Sequence, residues 1–251
     1  MESKLDKLRE LRLTMEKVDS SLSVKMKEIL SEHAMKAYLK LLGEHLDASN
    51  AKVTASIFMK RYAFLPVIYL YAMTAWNEKL DVSYGNISLE TKDDEKLWLP
   101  GIRFNHLDTK EFELDRDKWR IECIETLFND HISPLIERLY YTTKVSKLIL
   151  WENIAVYLFW LYEAVFMGED IPKEIQHRAK EDFQFIIFQA SGTMFGNYVE
   201  NPITRYYNER LYVEKLGKEI RKRDTCCYSH LTNMKKRCAT CPLISKEKRV
   251  K

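Results

Sequence analysis

Glycine and proline are scarce in this chain, at seven and six of 251 residues. That argues against a turn-rich sheet protein and in favour of long helices. The few glycines form no G-x-G-x-x-G and no phosphate loop, so the chain is not expected to hold a nicotinamide or flavin of its own. Long apolar runs are lacking too. Tyr62 to Ala75 is too short to span a bilayer, and Leu148 to Phe166 is interrupted by Glu152, Asn153 and Glu163, so both are expected to be buried helices. Met1 to Val18 is charged and amphipathic, without the apolar core or cleavage site of a secretory signal; a cytoplasmic protein with no transmembrane segment is expected. No internal repeat or low-complexity linker is present. Cysteine is limited to five residues, and in a reducing compartment these point to metal or redox chemistry, not to a disulfide framework.

What is present is a well-supplied core, with 46% hydrophobic and 12% aromatic residues. The expected fold is α+β, predominantly helical with a small antiparallel sheet. Leu5, Leu8, Leu11, Met15 and Val18 form a helical stripe, and a second helix is expected from about Leu22 through Leu46. Asn50 reads as a cap or loop residue before a helix over Thr54 to Ala75, which Pro66 should kink or divide. Ile87, Leu89 and Thr91 alternate with polar residues, residues 92–95 read as a turn, and Leu97 and Leu99 follow: a β-hairpin, with Ile102 to Phe104 as a further extended piece. Helical periodicity resumes from Asp115 to Phe166 with a break near Thr142 to Lys144, and again from Ile171 to Phe195. Arg210 to Asp224 fits either a hairpin or a helix. These elements suggest a mainly helical body over residues 1–210, with its hairpin near 86–104, and a basic C-terminal segment over 211–251, integrated into one domain.

Charge separates that segment from the body. Residues 215–251 carry 12 Lys and Arg against 3 Asp and Glu, whereas the remainder carries 28 against 34. Within it stand Cys226, Cys227, Cys238 and Cys241, spaced Cys-Cys-x10-Cys-x2-Cys and followed by Pro242. Cys-x2-Cys sets two thiolates on one side of a tight turn, where they can share a metal. The adjacent pair can ligate together only if the backbone turns there, because neighbouring side chains of a strand face opposite ways. Spacing leaves several readings open: a [2Fe-2S] cluster, a structural zinc, which more usually has two short knuckles, a [4Fe-4S] centre, which more usually has a tighter run, or unliganded thiols. Cys123 stands apart in a helical run and reads as a buried side chain.

The spacing and Pro242 resemble the C-terminal [2Fe-2S] motif of the FhuF-like ferric-siderophore reductases. The stretch from Ser56 through Lys60, Arg61 and Tyr62 to Met73, and then Leu80 to Asn86, is similar to the N-terminal region of that family. The resemblance implies a C-terminal iron-sulfur module with Cys226, Cys227, Cys238 and Cys241 as the cluster ligands and no catalytic residue beyond them. It further implies a cytoplasmic oxidoreductase of iron transport that passes one electron to the Fe(III) of an imported siderophore and releases Fe(II). Electrons would come from an external donor, and a peripheral contact with a siderophore importer follows. Reduction loosens the chelate because Fe(II) is less charged and prefers hard oxygen donors less.

Arg221, Lys222, Arg223, Lys235, Lys236 and Arg237 flank the cysteines and either stabilise a reduced cluster and attract anionic chelates, or form a solvated face. No nucleic-acid motif accompanies them, and no nucleic-acid partner is expected. His230, three residues after Cys227, either replaces a cysteine or carries protons, or is an ordinary surface or hydrogen-bonded residue, which is the commoner role of a lone histidine. Tyr228 and the stripe Trp151, Tyr157, Phe159, Trp160 and Tyr162 either line a chelate pocket or pack a core. No side-chain pattern discriminates hydroxamate, citrate or catecholate donors. Two other functions fit the same residues: a zinc-clamped binding or regulatory protein, and an iron-sulfur sensor of iron or redox state without turnover.

Overall fold

A computed structural model of the chain describes residues 4–92, 97–111, 115–214 and 217–243. It is α+β and predominantly helical. The N-terminal helix is shorter than its apolar stripe predicts. α1 spans Lys4–Glu10, Arg12 turns left-handed at φ 73°, and β1 (Leu13–Thr14) follows. The Leu22 to Leu46 expectation also shortens. β2 (Val24–Lys25) and a 3-10 turn (Met26–Ile29) occupy its first part, and α2 begins only at Glu32, where the Ser31 hydroxyl accepts the Ala34 N–H. α2 runs to His45.

Asn50 caps α3 (Ala51–Tyr62), accepting the Lys52 and Val53 N–H groups. α4 (Phe64–Trp76) follows after a turn at Ala63, so the division lies three residues before Pro66. Pro66 offers no N–H to the Tyr62 carbonyl, and its ring crowds the backbone one turn back. Among the described residues, α3 with α4 forms one of two helical stretches long and apolar enough to cross a membrane; 83% of its most apolar window lies inside the fold, as in a core helix.

The chain then lays down β3 (Glu78–Leu80), β4 (Ile87–Glu90), β5 (Gly101–Phe104) and β6 (Thr109–Glu111). The hairpin partner of β4 is β5, with Leu89 opposite Ile102, and not the stretch around Leu97 and Leu99. Residues 93–95 of the expected turn lie outside the described residues. β1 pairs with β5 and β2 with β4, giving a four-stranded sheet in the order β1-β5-β4-β2, antiparallel except for the β1–β5 pair. β3 and β6 form a separate antiparallel ribbon.

α5 (Arg116–Leu127) passes through a π-helical turn (Phe128–Ile132) into α6 (Ser133–Thr143). The break expected near Thr142 to Lys144 is there, with Lys144 left-handed at φ 59°. α7 (Lys147–Trp160) and α8 (Lys173–Gln184) each end in a further π-turn, over Leu161–Val165 and Phe185–Gln189. Near the C-terminal end come β7 (Arg210–Val213) and β8 (Lys218–Arg221), an antiparallel hairpin whose turn includes the left-handed Gly217, and then a 3-10 turn over Ser229–Leu231. Of the two sequence readings for this stretch, the hairpin holds.

The core is aromatic. Phe58 stacks between Tyr62 and Trp98, and Phe128 packs with Trp151 and Phe195. His131 is buried among these rings, stacked against Tyr62 and Tyr84, with its Nε2 2.6 Å from the Tyr62 hydroxyl. Burial pushes this imidazole down to about 3. An unfolded histidine titrates near 6.5, so the unfolded chain takes up a proton first as the medium is acidified. The stability that follows is fully present above about pH 6.5 and declines below it by at most ~1.4 kcal/mol per pH unit. Urea midpoints should therefore fall between about pH 7 and about pH 5, above the main carboxylate range, and the fall should vanish in His131→Gln. Equal slopes in the two proteins would place the acid sensitivity elsewhere.

Candidate metal centre

Two helices present polar groups where their neighbours are apolar. Ser56 and Lys60 stand one turn apart on α3, hence on one face. Glu152 and Asn153, both fully buried, lie on α7, which packs against α3. Unpaired, they would carry a heavy desolvation penalty. The C-terminal segment supplies their partners. Glu152 accepts the backbone N–H groups of Asp224 (2.6 Å) and Thr225 (2.9 Å) and the Thr225 hydroxyl, and pairs with the buried Arg223 at 3.3 Å. Arg223 also donates to Asn153 Oδ1 (2.8 Å), and Asn153 Nδ2 donates to the Ser56 carbonyl (2.9 Å). The Ser56 hydroxyl donates in turn to the Cys227 carbonyl at 2.9 Å. Further along, the Asn233 N–H reaches the Leu46 carbonyl and the Ser49 N–H the Leu231 carbonyl, fastening the same segment over the α2–α3 junction.

This anchoring sets the cysteines. The backbone does turn after the adjacent pair: Tyr228 is left-handed at φ 62°, and its N–H points to Cys226 Sγ at 3.4 Å. Cys238 and Cys241 share a tight turn closed by Cys241 N–H to the Cys238 carbonyl at 3.0 Å, while the Arg223 N–H holds the Thr240 carbonyl. The two turns meet, with the Cys227 and Cys238 sulfurs 3.6 Å apart. Lys60 Nζ is 3.5 Å from Cys227 Sγ and donates to the Ser229 hydroxyl at 3.0 Å; that hydroxyl lies 3.1 Å from the same sulfur. The hydrogen bond with Cys238 lowers the Cys227 thiol, with help from Lys60, and raises Cys238; burial raises Cys226. His230 Nδ1 is 3.9 Å from Cys226 Sγ.

Among the described residues no three His, Cys, Asp or Glu side chains are gathered closely enough to hold an ion as placed. The donor set nonetheless fits a thiolate-held group: two cysteine turns face each other, one sulfur receives a backbone N–H, and another has a cation beside it. Cys123 does not take part. It is buried in α5, where burial pushes its thiol up to about 12.

A cleft of about 580 Å³ opens beside this centre, with Cys238, Thr240 and Lys60 in its wall. Phe64, Tyr157, Phe159 and Trp160 supply an aromatic side. Arg210, Lys218, Arg221 and Lys222 on or beside the β7–β8 hairpin supply a cationic one. The π-turn after α7 carries Glu163, which binds Arg210 at 2.7 Å and also Arg221, tying the hairpin to the helix end. Burial raises the Glu163 carboxyl, but these two guanidinium groups outweigh it and hold it low. Of the aromatic stripe, Trp151 and Tyr162 turn inward instead, to Tyr198 and Thr74.

Residues 56–212 match the family described as ferric iron reductase FhuF-like transporter. The chain belongs to the FhuF-like ferric iron reductase family. Its match begins at Ser56, contains Lys60, Glu152, Asn153 and Glu163, and ends before Cys226. The FhuF-like match therefore covers the receiving surface for the cysteine segment and leaves the cysteines themselves outside it. No curated protein and no solved structure matches the chain. Membership in the FhuF-like family makes this an iron-related oxidoreductase. Sequence reading missed Lys60 and the Glu152–Asn153 pair as parts of the site; their signal was polarity within otherwise buried helices.

Proposed function

We propose that the protein is a cytoplasmic ferric-siderophore reductase that holds a [2Fe-2S] cluster on Cys226, Cys227, Cys238 and Cys241. The observation that carries this reading is the 3.6 Å approach of Cys227 and Cys238 above Lys60, a residue of the family-matched body. When bound, the cluster supplies a one-electron relay between an external donor and Fe(III) of the chelate. The chain's own residues do the rest. Ser56, Asn153, Glu152 and Arg223 fix the cysteine backbone against α3 and α7. Lys60 sets positive charge beside Cys227, where it favours the thiolate needed for ligation and a site that gains an electron. Fe(II), once formed, leaves because the hard oxygen donors hold it less tightly. The protein would meet its substrate at the cytoplasmic side of an importer through a peripheral contact.

Iron and acid-labile sulfide analysis of the purified protein tests the cofactor. A reddish-brown sample with iron and sulfide in equal amounts is expected, and a colourless zinc protein overturns the reading. Mixing reduced protein with ferric siderophores and an Fe(II) trap tests turnover. Catalytic release is expected; a cluster that is oxidised without releasing Fe(II) would make the protein a sensor.

A further inference from the structure

We propose that the cleft beside Cys238 is the seat of the ferric chelate, and that it selects complexes that are net negative and carry aromatic arms over neutral ones. The proposal rests on the reductase reading and adds the binding site and selectivity that it lacks.

Position comes first. Electron transfer weakens steeply with distance, so a chelate must lie against the thiol centre, and this cleft has both Cys238 and Lys60 in its wall. Its volume of about 580 Å³ is that of an ordinary small-molecule site. Chemistry comes second. Phe64 packs on Tyr157 at 4.8 Å and on Trp160 at 6.3 Å between ring centres, and Trp160 remains 40% exposed. A large indole face left open within a concavity is suited to a flat ring. The same lining carries six cationic side chains against three carboxylates. Arg210 and Arg221 are paired with Glu163, and the buried Arg223 with Glu152, so the attraction for negative charge comes from the net cationic excess that the lining keeps after these pairs are formed. A catecholate complex has both properties, anionic oxygens on aromatic rings, whereas a neutral trihydroxamate has neither. The cleft is also preformed. Glu163 grips both strands of the hairpin, and the Arg221 guanidinium lies over Tyr207 at 4.0 Å and Phe159 at 5.1 Å. π-turns such as the one presenting Glu163 recur at functional sites.

Gallium(III) complexes test this, because gallium(III) matches the charge of Fe(III) and is not reducible, so binding is read without electron transfer. Purified protein would be titrated with an anionic gallium tris-catecholate and a neutral gallium trihydroxamate, followed by calorimetry and tryptophan fluorescence. The catecholate should bind roughly tenfold or more tightly than the hydroxamate. Trp160→Ala and Lys218→Glu, both at exposed positions, should each weaken the catecholate by about tenfold, and Lys218→Glu should leave the hydroxamate unchanged. Equal affinity for the two complexes, or catecholate binding that neither variant alters, overturns the proposal, as does failure to bind either. The two readings fail separately. A protein that binds the catecholate but lacks acid-labile sulfide keeps the cleft and loses the reductase; one that contains sulfide but binds no gallium complex does the opposite.

Discussion

Replacing Cys227 by serine is expected to leave a folded protein that has lost its iron. The Cys227 side chain is buried and lies against Cys238, Lys60 and Ser229, at the meeting point of the two cysteine turns. Its backbone carbonyl, which accepts the Ser56 hydroxyl, is untouched by the change, so the anchoring of the segment survives. A serine oxygen is a harder and far more basic donor than a thiolate and is a poor substitute on an iron-sulfur group. Changing even the partners of metal ligands lowers affinity by about 10–100-fold, so loss of a ligand should reduce bound iron and sulfide by at least that much. The thermal midpoint of the body should move by only a few degrees. Cys123→Ala serves as the comparison: that thiol is buried in α5 and should be dispensable for iron. Full iron content in Cys227→Ser would remove Cys227 from the ligand set.

Glu152→Ala should be the most damaging substitution outside the cysteines. It removes the acceptor for two backbone N–H groups and one hydroxyl, and leaves the buried Arg223 guanidinium without its carboxylate. Breaking one side of a buried ion pair destabilises by about 3–5 kcal/mol. The loss should be local, because these bonds join the cysteine segment to α7 and are not among the packing contacts of the helical body. Amide exchange and proteolysis in residues 217–243 should rise sharply while the urea midpoint of the body shifts less. The double variant Glu152→Ala with Arg223→Met should recover much of the protection, since no buried charge is then left alone. A double variant as exposed as the single one would mean that the pair is not what holds the segment.

The helical character, the buried nature of the two oily stretches, the Asn50 cap and the break at Lys144 were legible because each depends on local chemistry: apolar periodicity, a side chain that caps its own helix, a left-handed stop. The N-terminal region was not. Its stripe from Leu5 to Val18 fits a helix, yet the chain leaves α1 after Glu10 so that Leu13 can pair with Ile102, a partner far away in sequence. β4 likewise takes β5 in place of the nearer Leu97 to Leu99, because strand pairing is decided by which edge is free in the folded sheet. At the candidate metal centre, the cysteine spacing pointed to thiolate chemistry but could not identify what lies beneath it. Lys60 and Glu152 become part of the site only through the packing of α3 on α7 and the return of a segment more than seventy residues downstream of Glu152. The aromatic stripe divided for the same reason: Tyr157 and Trp160 face the cleft, while Trp151 and Tyr162 turn into the core.

The polar notch formed by Ser56, Glu152 and Asn153 also bears on when the centre can be assembled. All three belong to helices made well before the cysteines leave the ribosome, and chains are synthesised at about 5–20 residues per second. The α3–α7 pair can pack before any of the four cysteines has been translated, so the nascent body offers a ready dock to which the last segment is added. On the proposed iron-sulfur reading, iron loading would be separate from formation of the core, and a cell short of iron would accumulate a folded, unmetallated protein with Cys227 and Cys238 already in contact beside Lys60.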